Sequence, residues 1–306
     1  MKIYRECIGY QFSVSSFYFL SCIWWSHNVE IRSDTLSYFI NYQNIEVYPF
    51  PYGVEILLPT IMLVCKSIGF DFNDFVALIL IMWLPVVQWA TRKSVDNPLF
   101  ILIIIFFFSG KFNELAMFLM RSYLSIIMFV FSIAYGDWRK FAFYGLCVLS
   151  HITSLMFILC YSLRMYVALL GNKLISILIL LVSIIVSKLI TASTISNLDI
   201  GSISNIMLSE INRKLSFYHD TSDFISANPI IILIVIIVSL LVILNKPVTD
   251  KERKIDSLIF SQTILCIGLS GVIHLSNRIG IIAFSFYIPI MIYYLNNALR
   301  NGVIKI

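Results

Sequence analysis

Residues 229–244, with the sequence PIIILIVIIVSLLVIL, decide the fold, because they contain a single polar side chain and no charged one. Two further runs are also mostly apolar, LFILIIIFFFSG at 99–110 and LISILILLVSIIVSKLI at 174–190, of which the second contains one lysine. A helix that crosses a bilayer needs about 20 mostly apolar residues. These runs do not alternate polar and apolar side chains, as the strands of a membrane barrel do. The sequence therefore predicts membrane-spanning helices.

The composition extends this prediction to the whole chain. Of 306 residues, 59% are hydrophobic and 13% are charged, and the mean hydropathy is +0.89. In soluble domains the charged fraction is about 25%. We therefore expect an all-α fold, a polytopic integral membrane helical bundle of about ten transmembrane helices, organised as a single membrane domain over residues 1–306.

The expected spans are those segments whose length and hydropathy suit a bilayer. They are 7–25, 54–70, 75–91, 97–110, 114–135, 138–162, 173–192, 229–245, 257–275 and 279–297. The fourth is short and the ninth is polar, so either could be re-entrant. Lys and Arg in 163–173 and 245–256 are expected inside, which places outer loops at about 26–53 and 193–228.

Several function classes are excluded by what the sequence lacks. It has no HExxH, Walker or GxSxG motif, which argues against a protease, an ATPase and a classical hydrolase. The six cysteines have no metal-type spacing and lie in or beside apolar runs, so we interpret them as buried free thiols. The net charge of +5 is modest, and nothing indicates nucleic-acid binding.

Two ionisable residues lie where hydrocarbon is expected, Arg121 in the fifth span and His151 in the sixth. An arginine within a span costs at least about 2.5–3.5 kcal/mol to insert, so it normally faces a cavity or a partner. On continuous helices Arg121 would share a polar stripe with Ser125, Ser132 and Tyr135, and His151 would share one with Tyr144, Cys147 and Ser154. The two stripes would line one crevice. Alternatively, Arg121 snorkels to the interface and His151 is an interhelical hydrogen bonder.

Further candidates are polar residues expected on the outer side. They are Asp34, Tyr38, Glu55, Arg213, Tyr218, His219, His274 and Arg278. Taken singly, each is better explained as a solvated loop residue, because loops collect polar residues. The arginines suit a diphosphate, because guanidinium forms bidentate, charge-assisted hydrogen bonds and keeps its proton.

The order of short motifs resembles a known family. It runs SDTLSY at 33–38, Glu55, FLMRSYLSII at 118–127, LSHITSL at 149–155, RKLSFY at 213–218 and a late Arg278. This order is similar to that of the EpsG-like family of bacterial exopolysaccharide and O-antigen polymerases of the Wzy type. The chain departs from the family pattern at Arg32-Ser33-Asp34, where Gly-Thr-Asp is usual.

The resemblance implies a glycosyltransferase in the bacterial inner membrane. It would join undecaprenyl-diphosphate-linked oligosaccharide repeat units at the periplasmic face, in lipopolysaccharide or exopolysaccharide synthesis, without a cofactor or metal. Besides these lipid-linked glycans and the bilayer, it implies a chain-length regulator protein as a partner. The implied catalytic residues are Arg121, Arg213 and Arg278, which bind diphosphates, and His151, which acts as base or orients the acceptor unless a carboxylate does so. The implied substrate-binding residues are Asp34, Tyr38, Glu55, Ser154 and Tyr218.

Three other functions are compatible with buried charges in a membrane bundle. A flippase or transporter for the same lipid-linked glycan would also use arginines in a cavity, although two matching halves with paired broken spans are not evident. A membrane acyltransferase of surface sugars would also pair Arg and His, but it would be expected to place its His early in the chain, and His27 has no Arg motif beside it. A structural subunit would explain the apolar scaffold but not where the charges lie.

Overall fold

A computed structural model describes residues 2–31, 34–46, 50–94, 99–135, 137–162, 171–189, 229–247, 249–271 and 273–300. All regular secondary structure in these ranges is helical. The all-α prediction is therefore confirmed for this part of the chain. The chain divides into two compact units, residues 1–154 and 155–306. The expected single membrane domain stays a prediction.

The first unit contains nine helices in its described residues and the start of a tenth. They are α1 Lys2–His27, α2 Asp34–Gln43, α3 Leu57–Ser67, α4 Phe72–Ile81, α5 Leu84–Ser94, α6 Leu99–Phe107, α7 Gly110–Phe118, α8 Met120–Ala134, α9 Arg139–Ser150 and α10 Ser154–Ser162.

Local sequence explains where several helices begin. Asp71 precedes α4 and forms a reciprocal capping box with Asp74, since each carboxylate accepts a backbone N–H of the other residue. Ser109 precedes α7, and its hydroxyl accepts from the backbone N–H of Phe112 at 3.2 Å. Each cap satisfies N–H groups that the first helical turn leaves without an intrahelical acceptor.

An aromatic cluster joins the turn between α4 and α5 to α6, α7 and α8. The ring of Trp83 lies 5.3 Å from that of Phe112 and 5.8 Å from that of Tyr123, and the rings of Phe107 and Phe112 are 4.7 Å apart. All four side chains are buried. Edge-to-face pairs of this kind stabilise packing by about 0.5–1.5 kcal/mol each beyond area burial. Because Tyr123 is part of the cluster, the start of α8 is held firmly in the first unit.

The second unit consists of the rest of α10 and six further helices within the described residues. These are α11 Lys173–Leu189, α12 Pro229–Leu244, α13 Asp250–Gly268, α14 Ile273–Ile279, α15 Ile281–Ser285 and α16 Tyr287–Arg300. Its apolar core includes Leu180, Val238, Phe260 and Tyr294.

One buried carboxylate in this unit is bound by neutral partners. Asp256, on α13, accepts from the Tyr294 hydroxyl at 2.7 Å and from the Asn245 side-chain amide at 2.9 Å. It is 3% exposed. These bonds connect α13 to α16 and to the end of α12.

The lengths of the helices support the membrane assignment only in part. The stretch Phe72–Arg92, formed by α4 and α5, is long and apolar enough to cross a bilayer, which agrees with the span expected at 75–91. Helices α7 and α8 are long and apolar enough to cross a bilayer only when taken together, and they are bent by 105° at their junction. Other apolar helices, such as Leu57–Ser67 and Pro229–Leu244, are shorter. The count of about ten spans stays a prediction.

The fifth expected span, 114–135, is wrong as a single helix. Helix α7 ends at Phe118, and Leu119 takes φ −116° and ψ 43° before α8 begins at Met120. No Pro or Gly lies near this break. The break places Arg121 in the first turn of α8, where it meets a carboxylate described below.

The sixth expected span, 138–162, is also interrupted. Helix α9 ends at Ser150, His151 is extended with φ −159° and ψ 121°, and α10 begins at Ser154. His151 therefore does not lie on a continuous helical face with Tyr144 and Ser154. A helix break leaves backbone N–H and C=O groups without helical partners, and inside a membrane such groups need other polar partners. Such a partner is present at the candidate functional site, described below.

The expected polar stripe on α8 is not an open surface. The hydroxyls of Ser125 and Ser132 are buried and donate to carbonyls of their own helix at 2.7 and 2.6 Å. The Cys147 thiol donates to the Ser125 carbonyl at 3.2 Å, so α9 covers this face. The ring of Tyr135 stacks on that of Phe143. The crevice predicted between the two stripes is filled by helix packing.

The last expected span, 279–297, is divided as well, into α14, α15 and α16. Its first break lies at Gly280, where a Cβ atom would come within 2.5 Å of the Cys266 Cβ atom. Glycine therefore allows α13 and this break to approach closely.

Candidate functional site

Three segments of the first unit bring polar side chains to one buried point. They are the turn before α3, which carries Glu55, the first turn of α8, which carries Arg121, and the break between α9 and α10, which carries His151. We call Glu55, Arg121 and His151 the charged triad. Gly53 takes φ 60°, a conformation that glycine adopts readily, and so allows the turn that presents Glu55.

The carboxylate of Glu55 is the centre of the triad. Its Oε2 accepts from Nη1 of Arg121 at 2.5 Å, and its Oε1 lies 2.8 Å from Nδ1 of His151. Oε1 also accepts from the backbone N–H of Ile152 at 3.1 Å, a group that the helix break leaves available. Glu55 is 0% exposed. A buried carboxylate is tolerated only with such partners, because desolvation of the charge is otherwise too costly.

An aromatic wall surrounds the guanidinium of Arg121. Its Cζ lies 4.3 Å from the centre of the Tyr52 ring, and the Tyr38 side chain lies nearby. The Tyr52 hydroxyl accepts from the Asn41 side-chain amide at 2.8 Å, and the Tyr38 and Tyr52 rings are 6.0 Å apart. A cation over a ring face is stabilised by the ring quadrupole. The wall therefore fixes the plane of the guanidinium.

Access to the triad is through Arg121. Its side chain is 17% exposed, against 2% for His151 and 0% for Glu55. Within the described residues its Nε has no hydrogen-bond partner. Since guanidinium carries five N–H donors, the bond to Glu55 leaves donors for an anionic ligand.

The bond to Glu55 determines which nitrogen of His151 is basic. A carboxylate paired with guanidinium is ionised and can only accept, so Nδ1 must carry the proton. In the neutral ring Nε2 then holds the lone pair. This arrangement suits a general base whose orientation is fixed by a second group.

The structure brings only some of the sequence-predicted residues together. The triad and Tyr38 lie at one site. Asp34 is the first residue of α2 and lies one turn from Tyr38. Ser154 is buried, and its backbone N–H donates to the His151 carbonyl at 2.9 Å. Arg278 lies in α14 of the second unit. Arg213, Tyr218 and His219 lie outside the described residues, as does the side chain of His274.

Three contributors were not predicted from the sequence. These are Tyr52, Asn41 and the backbone N–H of Ile152. A signal for Tyr52 exists, because Pro51-Tyr52-Gly53 is typical of a turn and lies just before Glu55. Nothing in the local sequence marks the other two. No group of three or more His, Cys, Asp or Glu side chains suited to a metal occurs in the described part of the chain.

Comparison with known protein families gives a match over most of the chain. The family model described as EpsG family covers residues 11–306, nearly the whole chain. This family is associated with Wzy-type polymerases. No curated protein and no solved structure gives a significant match.

Proposed function

This chain belongs to the EpsG family, and we propose that it is a glycosyltransferase that polymerises oligosaccharide repeat units carried on undecaprenyl diphosphate. The product is an O-antigen or an exopolysaccharide, made at the periplasmic face of the bacterial inner membrane. The observation that supports this proposal most is the charged triad, which combines an oriented base with a partly accessible guanidinium.

The proposed reaction gives one step to His151 and one to Arg121. Nε2 of His151 takes the proton from a sugar hydroxyl of the incoming repeat unit as its oxygen attacks the anomeric carbon of the growing chain. The bond from that carbon to the diphosphate oxygen breaks, and undecaprenyl diphosphate leaves with the electron pair. Arg121 stabilises the negative charge that develops on the leaving oxygen, since fixed cations act most strongly where charge forms.

Glu55 is the positioning residue of this mechanism. It holds the proton on Nδ1 of His151 and directs the guanidinium of Arg121. Glu55 compensates the single positive charge of Arg121, so binding of a diphosphate needs further cations. Arg213 and Arg278 are proposed to supply them. Asp34, Tyr38, Ser154 and Tyr218 are proposed to contact the glycan, and no metal or cofactor is invoked.

A second function, a flippase for the same lipid-linked glycan, is favoured by one observation. Helices are broken at Leu119, His151 and Gly280, and transporters use discontinuous helices at their substrate sites. The polymerase is preferred because transport does not require an oriented base.

Deletion of the gene distinguishes the two functions. Without a polymerase, cells should display glycan with a single repeat unit, and plasmid-borne wild-type gene should restore long chains. Without a flippase, surface glycan should be lost altogether, and that result would exclude the polymerase.

A further inference from the structure

Helices α8 and α9 form an antiparallel hairpin that carries the charged triad at one end. Near that end the Cys147 thiol donates to the Ser125 carbonyl at 3.2 Å. Towards the other end the Tyr135 and Phe143 rings stack with their centres 5.3 Å apart. Residues of higher number on α8 therefore meet residues of lower number on α9, and the connection between the helices lies at the end away from the triad.

The hairpin has no charged side chain between its two ends. Residues 122–136 and 141–150 contain no Asp, Glu, Lys, Arg or His. With a rise of about 1.5 Å per residue, α8 with 15 residues is about 22 Å long and α9 with 12 residues is about 18 Å long. Both arms therefore place about 20 Å between the triad and the connection.

The connection presents exposed aromatic side chains. We call Tyr135 and residues 137–141 the hairpin tip. Trp138 is 75% exposed and Phe141 is 64% exposed. Aromatic rings with a polar edge are enriched at the boundary between a membrane and water, where one part of the ring is apolar and the other is hydrated. The rings of the tip therefore suit the headgroup layer of a bilayer.

Two cations accompany these rings. Cζ of Arg139 lies 4.8 Å from the centre of the Tyr135 ring. Nζ of Lys140 lies 4.9 Å from the centre of the Phe141 ring. Arg139 also pairs with Asp137 at 2.7 Å. Long basic side chains bury their stems in apolar surroundings while the charge reaches the membrane surface. The tip thus combines rings that enter this surface with cations that attract its anionic headgroups.

The triad end of the hairpin differs from the tip. The rings beside Arg121 are those of Tyr38 and Tyr52, and both are buried. The carboxylate of Glu55 is buried as well. Charged groups that are paired and enclosed by protein are tolerated inside a membrane. The tip, and not the triad, is therefore the end of the hairpin that suits the membrane surface.

The cations of the tip indicate which side of the membrane it faces. Short cytoplasmic connections are enriched in Lys and Arg, and acids contribute little to this rule. The tip has two such cations within five residues, Arg139 and Lys140. The ten expected spans place this connection outside, but that count treats 114–135 and 138–162 as continuous helices, and both are broken. Because the count no longer determines the side, the cations favour the cytoplasmic one.

We propose that the hairpin tip is a membrane anchor that lies among the phospholipid headgroups of the cytoplasmic leaflet, with the charged triad in the outer half of the bilayer. The hydrocarbon core is about 30 Å thick, so its midplane lies about 15 Å from either edge. A triad about 20 Å from the tip is beyond this midplane, and a tilt of about 20° shortens the depth by only about 1 Å. The anchor sets this depth whichever reaction takes place, so the inference goes beyond the proposed function.

The depth of the tip is tested by fluorescence of the purified full chain in phospholipid vesicles. The quenchers are phospholipids with a nitroxide either next to the headgroup or at the end of the acyl chain. The signal of Trp138 is the fluorescence that wild type loses in Trp138→Phe. The nitroxide next to the headgroup should quench this signal more strongly than the one at the chain end, by at least about twofold.

The matched control for depth is Trp83→Phe, in which the missing signal belongs to a buried indole and should respond little to either nitroxide. Equal quenching of Trp138 by the two nitroxides, stronger quenching from the chain end, or no quenching would overturn the anchor.

The side of the tip is tested with Trp138→Cys and, as a second variant, Phe141→Cys. Both positions are exposed, so a thiol there can react with a membrane-impermeant maleimide, and wild type gives the background from native cysteines. Both variants should react in inverted membrane vesicles and stay unmodified in sealed spheroplasts. Modification in sealed spheroplasts, or failure of both variants to react in inverted vesicles, would overturn the cytoplasmic placement. Neither measurement uses glycan synthesis, so loss of the polymerase proposal would leave the anchor intact, and the reverse holds as well.

Discussion

Oε1 of Glu55 lies 2.8 Å from Nδ1 of His151, although 96 residues separate them in the chain. The same carboxylate pairs with Arg121, 66 residues away. One acid therefore holds together three segments that are distant in sequence. Its loss should affect both the fold of the first unit and the chemistry.

Glu55→Gln tests this dual role. The amide keeps an acceptor for His151 and Ile152, but its NH₂ group cannot pair with the guanidinium. Removal of one member of a buried ion pair costs about 3–5 kcal/mol, so we expect a lower thermal midpoint in detergent and only single-unit glycan. Glu46→Gln changes an exposed acid and should behave as wild type. A stable, fully active Glu55→Gln protein would remove Glu55 from the site.

Arg121→Lys and Arg121→Ala separate charge from geometry. Lysine can pair with Glu55 but lacks the planar fork, so the protein should stay folded while glycan chains become much shorter. Alanine leaves Glu55 without its cation and should lower stability as well. Arg139→Lys, at an exposed arginine paired with Asp137, is the control. Wild-type chain length from both Arg121 variants, measured on gels, would contradict the proposed role.

His151→Asn preserves the bond to Glu55 while it removes the base. The Asn side-chain amide can donate in place of Nδ1, but it has no counterpart of a basic Nε2. General bases contribute about 10²–10⁴ in rate, so polymerisation in isolated membranes should fall by that order with the thermal midpoint little changed. His27→Asn, at an exposed histidine, should retain the rate.

Asp256 predicts a pH dependence of stability. It precedes the expected span 257–275, and burial raises its pKa from 3.8 to about 6, although bonds from Tyr294 and Asn245 oppose the shift. Between these pH values the folded chain keeps a proton that the unfolded chain has lost, so the free energy of unfolding falls as the pH rises, by about 3 kcal/mol at most.

Asp256→Asn should flatten this slope, because an amide does not titrate. The thermal midpoint from pH 4 to pH 7 is the measurement. Asp250→Asn, at an acid whose side chain is 92% exposed on the same helix, should retain the slope. An unchanged slope in Asp256→Asn would assign the effect to another group.

The arrangement of spans is tested with topology reporters. If about ten spans exist with the expected orientation, reporters at residues 250 and 210 should lie on opposite sides of the membrane. Reporters on one side would exclude that arrangement while leaving the charged triad unaffected.

The fold class and two members of the triad could be predicted from the sequence, because each depends on local properties. Long apolar runs such as 229–244 indicate helices whatever their neighbours. Arg121 and His151 are conspicuous because ionisable groups are rare in such surroundings.

Pairing and helix breaks could not be predicted in the same way. The sequence places Glu55 at the outer end of the expected span 54–70, and only contacts across 66 and 96 residues show that it is buried. The breaks at Leu119 and His151 lack the Gly or Pro that usually marks them. At the break after α9, the backbone N–H of Ile152 bonds to Glu55 across the chain, and helical periodicity carries no information about such a bond.

The order of the triad along the chain also has a consequence during synthesis. Glu55 leaves the ribosome 66 residues before Arg121 and 96 before His151. A nascent chain in which Glu55 has been synthesised but Arg121 has not therefore carries a carboxylate without its cation. Burial of Arg121 has a low free-energy cost only when that carboxylate is already in place. Completion of the first unit therefore coincides with the neutralisation of one buried carboxylate.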